Sequence, residues 1–88
     1  MDKDEFLATI AAGLYAEIVA VTREADTFLE THSHPFEARA LVLRGELKIF
    51  IADTARLYRA GDVFHLHARC AHAERYGPQG ATYLAARK

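Results

Sequence analysis

Apolar and polar residues alternate along most of this chain, in short runs separated by turns. Residues 47–51, L-K-I-F-I, place Leu47, Ile49 and Ile51 on one face of an extended segment. Other extended runs, each bounded by turn residues, lie at 14–22, 38–43, 55–59, 63–67 and 81–85, with a turn or a bulge expected at Gly45 and a turn at 76–80. About seven or eight short strands at this spacing are typical of an all-β sandwich or barrel, here over about 14–86.

The first residues follow a different period. Phe6 and Ile10 lie four apart, which puts them on one side of a helix. Asp2 is a good N-cap residue and Gly13 a good terminator. The pattern predicts one short helix over residues 2–12, packed on the sheet or on a partner chain.

Length and charge limit the classes of function. Eighty-eight residues suffice for one domain, 1–88, with one core. The 11 Lys and Arg against 12 Asp and Glu leave a net charge of -1, which argues against nucleic-acid binding. No apolar run approaches the roughly 20 residues that span a bilayer, and the acidic start M-D-K-D-E-F is unlike a secretion signal. We therefore expect a cytoplasmic protein without membrane or nucleic-acid partners.

A barrel this small leaves strand edges open, and open edges pair with other chains. We therefore expect a homodimer, with either the first strand or the apolar face of Leu41 and Leu43 at its interface. The single cysteine, Cys70, excludes an internal disulfide.

Three of the five histidines have a spacing that suits a metal site. His32 and His34 are two residues apart, so an extended strand directs both imidazoles to the same side. His72 follows a distant strand and can complete a tripod. Because neutral imidazole is the commonest metal ligand among side chains, these three residues are the candidate ligands of one ion.

Two segments that contain these histidines resemble the two motifs of the cupin family. T-H-S-H-P-F-E-A-R-A-L-V-L-R-G-E-L is similar to the first motif, with Gly45 as its closing glycine, and A-G-D-V-F-H-L-H-A-R-C-A-H is similar to the second, with Gly61 as its opening glycine. The resemblance covers roughly residues 28–76. It implies a double-stranded β-helix, or jelly-roll barrel, that holds a metal inside its mouth.

The chain departs from the family pattern at the position of the motif glutamate. That position holds Ala38, and the nearby acid Glu37 comes one residue early. If the chain is regular after His34, Glu37 points away from the metal, because a shift of one residue reverses the face. An irregularity at Pro35 would return Glu37 to the site as a fourth ligand. Arg69 also stands where the family has a glycine.

Side chains after the third histidine are candidates for catalysis. Glu74 and Tyr76 share the parity of His72, so a regular strand directs both into the barrel. Glu74 can accept a hydrogen bond from a ligand imidazole, act as a general base, or be a charge at the rim. His65 and His67 lie on the face opposite to the apolar one of their strand, and we expect them at the surface.

Three functions are compatible with this pattern. The first is a metal-dependent isomerase, lyase or dioxygenase, since an ion with open positions can activate a substrate or a water molecule. The ligand set does not distinguish zinc, iron, manganese and nickel. The positive charge of the bound ion favours a small polar or anionic molecule as the ligand or substrate. The second is a binding or sensing module without turnover, with or without a metal. The third is a metal-free barrel used for protein interaction.

Overall fold

A computed structural model describes residues 1–88. One helix and six strands follow one another: α1 (Lys3–Ala12), β1 (Glu17–Arg23), β2 (Phe28–His32), β3 (Ala38–Ile51), β4 (Thr54–Arg59), β5 (Val63–Leu66) and β6 (His72–Arg87). The expected all-β barrel with a short N-terminal helix is confirmed. No helix has the length and apolar character needed to cross a bilayer.

Helix α1 begins with a reciprocal cap and covers the outside of the sheet. The Asp2 carboxylate accepts a hydrogen bond from the Glu5 backbone N–H at 2.8 Å, and the Glu5 side chain accepts one from the Asp2 N–H. Phe6 and Ile10 are buried against Leu41. Because Leu41 lies beneath the helix and is only 1% exposed, this face is covered within the chain.

The two longest strands organise the barrel. The sheet order is β1-β6-β3-β4, with β2 paired to β6 and β5 paired to β3. Along β3, one edge pairs first with β5 and later with β4, while the other edge pairs with β6. Such long strands, which change partners along their length, bend the sheet around a central core.

The predicted turn at 76–80 is instead part of a continuous strand, which corrects the strand count, and of the two alternatives at Gly45 the structure has the bulge. Residue Gly45 lies inside β3, and the Y-G-P-Q-G segment at 76–80 lies inside β6. The pairing of β3 with β6 shifts register on both sides of Arg44 and Gly45, which marks a bulge. Gly45 and Gly80 have φ values of 73° and 67°, so each strand bends where glycine tolerates a left-handed backbone.

The core lies between the two halves of the bent sheet. Its members are apolar or aromatic and come from β3, β5 and β6: Ala40, Val42, Leu47, Ile49, Phe64, Leu66, Tyr76, Ala81, Tyr83 and Ala85. Among the buried residues, only His72 and Glu74 carry polar or charged groups other than phenol hydroxyls, at 1% and 5% exposure. A buried histidine and a buried carboxylate are costly without partners, so their surroundings indicate a functional site.

Candidate metal centre

Strand pairing brings the three histidines together. His32 ends β2 and pairs directly with His72, which begins β6. His34 lies two residues beyond β2, and its ring centre is 5.1 Å from that of His72 and 5.2 Å from that of His32. One ring nitrogen from each of the three lies within 4.8 Å of the others. This separation allows one ion to contact all three imidazoles.

Backbone hydrogen bonds fix which nitrogen of two rings faces the centre. His32 Nδ1 lies 2.7 Å from the carbonyl oxygen of Glu30, and His72 Nδ1 lies 2.9 Å from that of Cys70. A carbonyl oxygen only accepts hydrogen bonds, so each Nδ1 carries a proton and donates it. In the neutral rings, each Nε2 therefore presents a lone pair. This arrangement is the usual outer support of metal-bound histidines.

The carboxylate of Glu74 faces the same two Nε2 atoms. Its Oε2 lies 3.2 Å from His32 Nε2 and 3.3 Å from His72 Nε2. Its Oε1 accepts a hydrogen bond from the Tyr76 hydroxyl at 2.5 Å, which holds the carboxylate in place. The distance to His72 is that of an ion pair, yet the buried Nε2 of His72 has no aligned hydrogen-bond partner. The alternation of side chains along the strand predicts that Glu74 and Tyr76 point into the barrel, and both side chains are buried there.

His34 contributes a ring that its surroundings hold in the neutral form. Burial lowers the pKa of His34, and the neighbouring His72 and His32 lower it further. Its ring stacks on Phe36 with centres 4.9 Å apart and an angle of 7° between the planes. The Arg87 guanidinium lies 4.7 Å from the centre of the same phenyl ring. A neutral imidazole is the form that binds a metal.

The turn before His72 is tied to the first histidine segment. The Arg69 N–H donates to the carbonyl oxygen of His34 at 2.6 Å. Arg69 has a φ of 62°, a left-handed conformation that glycine adopts at no steric cost. The chain therefore keeps the backbone shape that the family's glycine provides, although the residue is arginine. This bond fixes His34 relative to His72.

A cavity of about 80 Å³ adjoins the histidines. The polar groups that line it are His32, His34, Glu74, Tyr83, Arg23 and Arg87. Burial raises the pKa of Tyr83, and burial raises that of Tyr76 well above its usual range, so both phenols stay protonated at neutral pH. The Nε of Arg87 is buried without a hydrogen-bond partner.

The sequence interpretation missed the two arginines of this cavity. They lie in strands far apart in sequence and at opposite ends of the β1–β6 pairing, yet both line this cavity. A weak signal was present, because Arg87 shares the parity of the inward residues Tyr83 and Ala85.

Glu37 does not join the three histidines, so its candidacy as their fourth ligand is corrected. Its Oε2 lies 3.1 Å from His65 Nε2 and 3.9 Å from Lys88 Nζ. Ala38 takes the inward position next to the cavity. Pro35 does not restore the parity, so the one-residue shift turns the carboxylate outward, toward the surface histidines.

No protein-family model matches the chain, and neither does any curated protein. Solved structures do match. An RmlC-like cupin from Shewanella frigidimarina has a TM-score of 0.69 and 18% identity, over 80% of this chain and 62% of that one. DMSP lyase DddQ from Ruegeria pomeroyi has a TM-score of 0.74 and 22% identity, over 81% of this chain and 36% of that one. This chain has the cupin fold.

A variant of oxalate decarboxylase from B. subtilis is also similar to this chain, with a TM-score of 0.73 and 18% identity, over 81% of this chain and 20% of the enzyme. This chain therefore spans less than two thirds of these three proteins. At such identities the likeness shows the fold, while function is argued from the site. The cluster of His32, His34 and His72 within this barrel fits a metal site.

Proposed function

We propose that this cupin binds one divalent transition metal through His32, His34 and His72, with the Glu74 carboxylate as a fourth protein ligand. In this proposal, a small anionic molecule occupies the adjoining cavity. The observation that carries the proposal is the arrangement of acceptors around one point. Neutral His32 and His72 present Nε2 lone pairs, and Glu74 Oε2 lies 3.2 and 3.3 Å from them.

Acceptors that face one another without a donor repel, so this arrangement needs positive charge between them. One alternative is protonation of the imidazoles. Burial and the neighbouring His72 and His32 lower the pKa of His34, which disfavours its protonated form. A single metal ion would contact the three nitrogens, which lie within 4.8 Å of one another, and the Glu74 carboxylate lies beside two of them. The ion would also give the buried Nε2 of His72 a partner.

The ligand set determines what such an ion can do. Three neutral nitrogens and one carboxylate leave a net charge of +1 on a divalent ion. A six-coordinate ion keeps two positions open, whereas zinc keeps one open only by expanding to five-coordinate. When bound, the metal would supply Lewis-acid chemistry toward an oxygen-containing ligand. Nitrogen and oxygen donors of this kind suit zinc, iron, manganese and nickel alike.

The cavity favours a small carboxylate as the ligand. Arg23 and Arg87 are the cationic residues that line it, and the buried Nε of Arg87 is an unused donor. Arginine suits carboxylates because its planar donors match the two oxygens. One water molecule takes about 30 Å³ of liquid, so a cavity of about 80 Å³ admits only a few non-hydrogen atoms.

The same geometry suits a binding or sensing module, because the cavity has no free general base. Glu74 is the only carboxylate that lines it, and this group is held by Tyr76 and directed at the histidines. Both buried phenols remain protonated. In this second function, small carboxylates raise the thermal stability of the metal-loaded protein, but no product forms.

Metal analysis tests the proposed site. Protein purified without chelator and dialysed extensively is expected to retain about one transition-metal ion per chain, as measured by mass spectrometry of the elements. His72→Gln should lose this ion, while Asp53→Asn, at an exposed turn outside both histidine clusters, should keep it. Equal metal content in both variants, or no retained metal even after loading and dialysis, would contradict the proposal.

A further inference from the structure

We infer that Glu37, His65 and His67 form a second metal site on the outer face of the barrel, which binds a divalent cation such as Cu²⁺, Ni²⁺ or Zn²⁺. We call these three residues the outer cluster. One donor atom from each lies within 4.8 Å of the others. The inference does not depend on the proposed function, because the outer cluster shares no residue with His32, His34 and His72, which we call the inner cluster.

The backbone holds the outer cluster in place from two directions. His65 is in β5, and it pairs with Arg39 at the start of β3. Glu37 lies just before β3, where its N–H donates to the Lys88 carbonyl at 2.9 Å and its carbonyl accepts from the Lys88 N–H at 3.0 Å. The backbone that carries Glu37 and His65 is thus fixed before any ion arrives, which reduces the entropic cost of binding.

The side chains converge without satisfying one another. His65 Nε2 lies 3.1 Å from Glu37 Oε2, yet this nitrogen is shielded from solvent and has no aligned hydrogen-bond partner. The rings of His65 and His67 have centres 4.5 Å apart. Histidines two apart along an extended segment project to the same side, so both can bind one ion together.

The donor set decides which cations bind. Two imidazoles and one carboxylate leave positions open to water, and imidazole donors suit zinc, copper and nickel. Affinity at such a site follows the Irving–Williams order, so Cu²⁺ should bind more tightly than Ni²⁺ or Zn²⁺, and Mn²⁺ should bind weakly. The side chains of Glu37 and His65 are 28% and 31% exposed, whereas that of His72 in the inner cluster is fully buried, so solvent weakens the outer site relative to the inner one.

Lys88 opposes metal binding at this position. Its Nζ lies 3.9 Å from Glu37 Oε2, where it competes for the carboxylate and repels a cation. Removal of the Lys88 charge should therefore raise the affinity of the outer cluster for a cation. A variant that binds more tightly is a result that an unrelated surface site would not give.

Calorimetric titration of metal-free protein with Ni²⁺ tests the inference. The wild type is expected to show a tight event at the inner cluster and a weaker event of one ion at the outer cluster. His65→Gln/His67→Gln should abolish the weaker event alone, and Lys88→Ala should tighten it several-fold. His34→Gln should weaken the tight event and leave the weaker one unchanged. The titration therefore tests the proposed metal site and the outer cluster independently.

Two results would overturn the inference. One is a weaker event that persists in His65→Gln/His67→Gln, since the cation would then bind elsewhere. The other is a wild-type titration that shows no event dependent on these histidines. Circular dichroism of each variant checks that the barrel remains folded, and the exposed positions of His65 and His67 favour that result.

Discussion

At the scale of single residues, the inner site depends on hydrogen bonds that orient the side chains of its ligands. The carbonyls of Glu30 and Cys70 accept hydrogen bonds from the Nδ1–H groups of His32 and His72. Both Nε2 atoms therefore remain available to a metal. Tyr76 holds one oxygen of Glu74 and leaves the other directed at these nitrogens. Each ligand atom is therefore oriented by a neighbour that does not itself contact the ion.

Glu74→Gln tests the role proposed for this carboxylate. Loss of the charged ligand should weaken metal affinity on the order of 10–100-fold, as measured by competition with a chelator of known affinity. Tyr76→Phe keeps the carboxylate but removes its hydrogen bond, so its effect should be smaller. Unchanged affinity in Glu74→Gln would show that this group is not a ligand.

A substitution at Arg69 is expected to raise the stability of the protein. The Arg69 φ of 62° is costly for a residue with a side chain, by roughly 1–2 kcal/mol, and glycine avoids that cost but adds chain entropy. Arg69→Gly should therefore raise the free energy of unfolding in urea by up to about 1 kcal/mol. Its exposed side chain leaves the N–H bond to His34 intact. A loss of stability would contradict this interpretation.

Residue patterns predict the inner site better than the outer one. The spacing of His32, His34 and His72 suffices to identify them as a group, and parity is enough to direct Glu74 inward. The direction of Glu37 was open, because the chain around Pro35 is irregular. Its meeting with His65 depends on the pairing of β5 with β3, which no local pattern reveals.

At the scale of elements, bends in two strands make the barrel. Composition predicts a turn or a bulge at Gly45 and a turn at 76–80, since glycine is typical of both. Both strands instead continue through these residues, because neighbouring strands complete the hydrogen bonding on either side of the bulge. Local sequence therefore locates the bend but does not distinguish a bent strand from a turn.

Gly45→Ala should be among the most damaging single substitutions. A Cβ at this position would overlap the Gly80 carbonyl, and the φ of 73° adds strain. We expect a loss of roughly 3 kcal/mol or more in the free energy of unfolding. Gly61→Ala is the control, with a φ of 92° but no non-neighbouring atom nearer than 3.9 Å, and should cost about 1–2 kcal/mol. Equal losses would show that the overlap is relieved.

At the scale of the whole molecule, the helix provides a second apolar layer outside the barrel. Phe6 and Ile10 cover Leu41, a face that the sequence left available to a partner. The expected homodimer stays a prediction, and the free edge of β1, where Ile18 is 45% exposed, is the remaining candidate interface. Light scattering distinguishes a dimer from a monomer of 9.8 kDa.

Phe6→Ala tests the contribution of this layer to stability. The side chain is fully buried, so truncation should lower the free energy of unfolding by about 3–5 kcal/mol. Leu14→Ala is a matched control, because Leu14 is 88% exposed and should change stability by less than about 0.5 kcal/mol. A small effect of Phe6→Ala would mean that the barrel is stable without the helix contact.

The most direct test of the inner site is a crystal structure of zinc-loaded protein with anomalous data at the metal edge. The account predicts a peak between the Nε2 atoms of His32 and His72 and a ring nitrogen of His34, at about 2.0–2.1 Å from each, with Glu74 Oε2 in contact. A barrel without a peak at this point, or with these rings turned away from one another, would contradict it.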